Sequence, residues 1–72
     1  MKAGELQRIL ERELGYRVHS QKGSHRKLKS DGRPTLTFAF HDGQEIAPGL
    51  VRKILRDAAL TDIEAAQLLG IG

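Results

Sequence analysis

YRVHSQKGSHRKLKSDGRPTLTFAF, residues 16–40, is where the spacing of apolar side chains changes, and that change decides the fold. Tyr16 and Val18 alternate with Arg17 and His19, Leu28 stands between Lys27 and Lys29, and Leu36, Phe38 and Phe40 alternate with Thr35, Thr37 and Ala39. A period of two marks a strand with one covered face. Turn-forming clusters at Lys22 to Ser24 and at Asp31 to Pro34 cut the stretch into three, which predicts a three-stranded antiparallel meander. Val18, Leu28, Leu36, Phe38 and Phe40 are then expected on the covered face. Arg17, His19, His25, Lys27, Lys29, Thr35 and Thr37 are expected to face solvent.

On either side of this stretch the period is helical. Leu6, Ile9, Leu10 and Leu14 line one face of a helix over residues 3–14, with Gly15 as its stop. Pro48 suits a first turn, and Leu50, Val51, Ile54, Leu55 and Ala58 form the buried stripe of a second helix. Thr61 with Glu64 makes a capping box for a short third helix through Leu69, ended by Gly70. The class is therefore α+β: a helix, a three-stranded antiparallel sheet, a helix and a short extra C-terminal helix. With 72 residues, no repeat and no linker, the chain is expected to form one domain over residues 1–72.

Composition narrows the surroundings. The absence of cysteine argues against an oxidised, secreted scaffold, and a zinc site would have to be assembled from His19, His25, His41 and carboxylates. No apolar run approaches the roughly 20 residues of a membrane span, and residues 1–12 mix charge with Leu6, Ile9 and Leu10 rather than forming a signal-peptide core. The expected location is the cytoplasm, with no membrane contact.

The formal charge of +3 is unevenly spread. Residues 1–14 are neutral, residues 15–40 carry net +5 with Asp31 as the only acid, and residues 41–72 carry net −2. The positive field thus belongs to the predicted sheet. Within it, Gly23, Ser24 and His25 set an imidazole at a glycine-relaxed turn, with Arg26 and Lys27 directly after, a combination suited to a phosphodiester. On the middle strand His25, Lys27 and Lys29 share the solvent face, and such a row repels itself unless an anion neutralises it. An open cationic sheet face is a platform for RNA or DNA; lysines on an exposed strand also serve simply to prevent edge aggregation.

Gly23-Ser24-His25 at a strand start, the Gly32 turn, Phe40-His41 at a strand end, Pro48-Gly49 at a helix start and Ile54-Leu55-Arg56-Asp57-Ala58 occur in the order found in the HicA toxin family. The resemblance covers roughly residues 4–60. It implies a fold like the double-stranded RNA-binding domain, mRNA cleavage, and neutralisation by a HicB-type antitoxin protein. The chain departs from the family pattern at Ala59, where glycine is common, and in continuing past Leu60 with a third helix.

RNA carries its own nucleophile, the 2′-hydroxyl. Cleavage needs a base, stabilisation of the phosphorane charge and an acid for the departing 5′-oxygen. Histidine is the natural base, since an imidazole ionises near pH 6.5 and nearby cations favour its neutral form. Together with the resemblance this makes His25 the expected catalytic residue. Lys22, Arg26, Lys27 and Lys29 are the expected RNA-binding cations, and Gly23 and Ser24 the turn whose amides approach the phosphate. The acid is left open among His41, His19, a lysine ammonium and water. With Asp31 the only carboxylate in the middle third, cleavage without a metal or other cofactor is favoured. A non-catalytic RNA-binding module, or a protein-interaction domain using the same basic face, is the alternative reading. RNA sequence specificity and oligomeric state, whether homo- or hetero-oligomer, have no visible signature.

Overall fold

The computed structural model describes residues 1–70 and has the expected α+β layout. Helix α1 spans Ala3–Leu14, with Ala3, Leu6 and Leu10 fully buried, and stops at Gly15. No side chain caps its first turn. The Ala3 and Gly4 N–H groups instead donate to the carbonyls of Gln44 and Asp42, at 2.8 and 2.9 Å. Gly4 permits this approach, because a Cβ there would lie 3.2 Å from Asp42 Cβ and 3.3 Å from its carbonyl oxygen. The segment after the sheet is thereby fastened to the start of α1.

Strands β1 (Arg17–Lys22), β2 (His25–Lys29) and β3 (Leu36–Phe38) form one antiparallel sheet in the order β1-β2-β3. Leu28, Leu36 and Phe38 are buried as the alternation predicts. Val18 is not, being 40% exposed, and every residue of β1 is exposed. The covered part of the sheet begins at β2, and an uncovered edge strand turns its apolar residues to solvent whatever their spacing. Tyr16, just before β1, reaches the core instead: it is buried and its hydroxyl donates to Pro34 O at 2.8 Å. Burial pushes its phenol up, and the Arg33 charge opposes this. Strand β3 is shorter than expected. Phe40 falls outside the ladder, half-buried, with its ring edge-on to Phe38 at a centroid separation of 5.1 Å.

Helix α2 (Pro48–Asp57) starts on Pro48 and buries Val51 and Leu55, with Ala58 just past its end. Its stripe is narrower than the spacing suggests, for Leu50 is 37% exposed and Ile54 only partly covered. The Arg33 guanidinium donates to Ala58 O at 3.0 Å, tying the β2–β3 loop to this helix end. Ala59 follows with φ +70°, the one non-glycine residue at positive φ among the described residues. Helix α3 (Asp62–Leu68) carries the predicted capping box, with Glu64 N–H donating to Thr61 Oγ1 at 3.1 Å and Thr61 N–H to Glu64 Oε1 at 2.9 Å. The buried residues form one cluster in which both long helices meet β2 and β3. Each fully buried Leu or Phe stabilises it by about 1.5–3 kcal/mol, leaving the other sheet face free for different chemistry.

A cationic surface on the open sheet face

A one-residue irregularity sets the geometry of this face. The β1–β2 ladder pairs Arg17 with Lys29 and Val18 with Leu28, then resumes with Ser20 opposite Lys27. His19 is the extra residue of a β-bulge. In an unbroken ladder Gln21 would oppose His25; with the bulge Lys22 opposes His25 and the hairpin closes over Gly23 and Ser24 alone. Gly23 has φ +62° at the first central position, as a type II′ hairpin turn requires. Its missing Cβ would meet nothing within 4 Å, so conformation rather than crowding calls for glycine there.

Directly opposed residues in a ladder share a face. The open face therefore carries three rows: Lys22 beside His25 at the turn, Ser20 beside Lys27 and Thr37 in the middle, and Arg17 beside Lys29 at the far end. Lys22, His25, Lys27 and Lys29 are all exposed, and Ser24 is half-buried in the turn. The structure thus brings together His25, Lys22, Gly23, Ser24, Lys27 and Lys29.

Arg26 is apart from them. Alternation along β2 sends it to the helix side, where its side chain is 15% exposed. There its guanidinium donates to the side-chain oxygen of Gln7 in α1 and to Asp42 Oδ1, the latter at 3.0 Å. It joins β2, α1 and the segment after β3, on the face opposite His25. Its position next to the Gly23-Ser24-His25 triplet in sequence does not put it on the same face, because adjacent strand residues point oppositely.

Several other cations are similarly engaged. Lys53 pairs with Asp57 within α2, Arg56 with Asp62 at the start of α3, Lys2 with Glu45 and Arg12 with Glu13, and Arg33 holds the Ala58 carbonyl. Besides Arg8, Arg33 and Arg52, the Lys and Arg side chains without an ion pair among the described residues are Arg17, Lys22, Lys27 and Lys29. Their charge is left to solvent on one surface. Arg17 was legible as a solvent-facing cation, but its pairing with Lys29 depends on the ladder register. His19 lies in the bulge, and His41 lies beyond the end of β3, its carbonyl accepting the Gln44 N–H at 2.9 Å. Among the described residues no three His, Asp or Glu side chains are grouped to hold a metal ion, and no helix is long and apolar enough to cross a membrane.

These features define a small α+β protein with helices over one sheet face and unpaired cations around a histidine on the other. Residues 3–60 match the family described as the HicA toxin of bacterial toxin-antitoxin systems, and the chain belongs to that family. Membership makes it a toxin whose partner is an antitoxin. Comparison with curated proteins and with solved structures found no match. The matched region ends at Leu60, so α3 lies outside it.

Proposed function

We propose that the chain is an endoribonuclease that cleaves mRNA in the cytoplasm, on the open sheet face, with His25 as general base. The observation that carries this reading is the opposition of Lys22 and His25 at the turn, within a face whose cations lack ion-pair partners among the described residues. His25 takes the proton of a 2′-hydroxyl, whose oxygen attacks the adjacent phosphorus while the bond to the 5′-oxygen breaks. The Lys22 ammonium, on the residue opposite His25 in the ladder, offsets the charge that develops on the phosphorane and donates the proton that the 5′-oxygen takes up. Gly23 and Ser24 let the backbone come close to the phosphate. Lys27 and Lys29 hold the neighbouring phosphates. Arg26 serves by keeping β2 in place.

No step requires a metal, and the products are a 2′,3′-cyclic phosphate and a 5′-hydroxyl. The partner is a HicB-type antitoxin that covers the same face with acidic side chains or an inserted segment, replacing RNA there. Expression in a bacterial host tests the reading: the wild-type chain arrests growth and His25→Ala, folded to the same extent, does not. Arrest by a folded His25→Ala protein would refute it.

A further inference from the structure

At the end of the hairpin away from His25 lies an open cleft of about 450 Å³, lined by Arg17, Val18, His19, Lys29, Asp31 and Thr35 among others. Arg17 and Lys29 form its cationic row because the ladder pairs them directly. The bulge at His19 adds an imidazole, and Thr35 adds a hydroxyl from the approach to β3. Both cations lack an ion-pair partner among the described residues, although Asp31 lies on the rim of the same cleft. A guanidinium, an ammonium and a hydroxyl around a shallow cleft with one carboxylate suit a singly charged anion, and a phosphodiester is such an anion.

We infer that this cleft is a second phosphate subsite, holding the backbone of a single-stranded RNA away from the bond that is cut. The inference rests on the RNA reading of the face and adds direction to it. Along β2 the Lys22–His25 pair and the Arg17–Lys29 pair are separated by four residues, about 13 Å at the usual rise of a strand. One phosphate cannot span that distance, whereas a short single strand can, and Lys27 lies between the two ends. The RNA therefore runs along the hairpin, from the turn to the cleft. Arg17 is a positioning residue: it fixes the strand without touching the reacting atoms. Asp31 opposes binding, which sets the cleft's affinity below what its cations alone would give.

The test uses the full chain carrying His25→Ala, so that RNA stays intact, and a fluorescent oligouridylate of about twelve nucleotides as probe. Arg17→Ala in this background is expected to weaken binding about fivefold and to lower the slope of log Kd on log salt by about 0.7, the share of one single-strand phosphate. Asp31→Asn is expected to tighten binding. Unchanged oligouridylate affinity in both variants would overturn the subsite. So would weak oligouridylate binding by the parent protein alongside an Arg17-dependent complex with an acidic antitoxin. Failure of the catalytic reading is separate: RNA bound with the predicted Arg17 and Asp31 effects, but never cut by the wild-type chain, would leave the subsite standing and remove the ribonuclease.

Discussion

Lys22 and His25 are the last opposed pair of the β1–β2 ladder, and they share the open face because the bulge at His19 shifts the register by one residue. That opposition assigns the two groups different work from the cations further along the hairpin. Lys22→Met is expected to lower kcat for RNA cleavage about a hundredfold, the scale for removing a donor that acts on developing charge. Lys27→Met is expected to raise KM with little change in kcat, since phosphates away from the reaction contribute uniform binding. Steady-state kinetics on one RNA substrate separates the two. Equal effects on KM with unchanged kcat would place Lys22 among the ordinary phosphate contacts.

Arg26 is predicted to act on stability. Its charged hydrogen bonds join β2 to Gln7 and Asp42, but Asp42 is largely exposed, which weakens the ion pair. Arg26→Ala should therefore destabilise by about 1–2 kcal/mol, read from urea melts, while RNA affinity at a temperature where both proteins are folded stays the same. A variant of unchanged stability with weakened RNA binding would return Arg26 to the RNA surface.

Ala59 sits at φ +70° between the end of α2 and the capping residue of α3. A Cβ in the left-handed region costs about 1–2 kcal/mol, part of which glycine gives back through the greater freedom of its unfolded chain. Ala59→Gly should stabilise by about 0.5–1 kcal/mol and raise the melting temperature by several degrees. A lower melting temperature would contradict the strain at this position.

Part of the structure follows from signals carried by neighbouring residues. Helix α1 and its Gly15 stop, the Thr61–Glu64 capping box and the burial of Leu28 between two lysines each depend on residues within a few positions of one another. What escaped depends on distant partners. A bulge leaves the apolar spacing nearly untouched, so nothing around His19 announces that Lys22 rather than Gln21 will face His25. Alternation along β2 already puts Arg26 on the helix side, but its two partners lie 19 and 16 residues away, on elements whose approach is a tertiary event. Val18 fails for the same reason, because alternation identifies a face but not how far the helices extend over it.

Acid should probe the capping box. The Thr61 N–H, and after it the Thr61 hydroxyl, hold the Glu64 carboxyl below its ordinary value of 4.5. The folded state thus favours the ionised form, so this contribution is complete above pH 4.5 and is lost as pH falls through the lower folded value. Glu64→Gln keeps an acceptor for Thr61 but does not titrate. Between about pH 7 and pH 3 the wild type should lose more stability than the variant, measured by urea melts at each pH. Parallel losses would show that the box gains nothing from the charge.

The central claim is cleavage of RNA by His25, and the most direct measurement is end-group analysis after incubating an mRNA with the purified chain in excess chelator. The wild type is predicted to shorten the RNA and leave 2′,3′-cyclic phosphate and 5′-hydroxyl ends, while folded His25→Ala leaves it intact. Intact RNA with the active wild-type toxin, equal cleavage by His25→Ala, or cleavage that appears only when magnesium is restored would contradict the account.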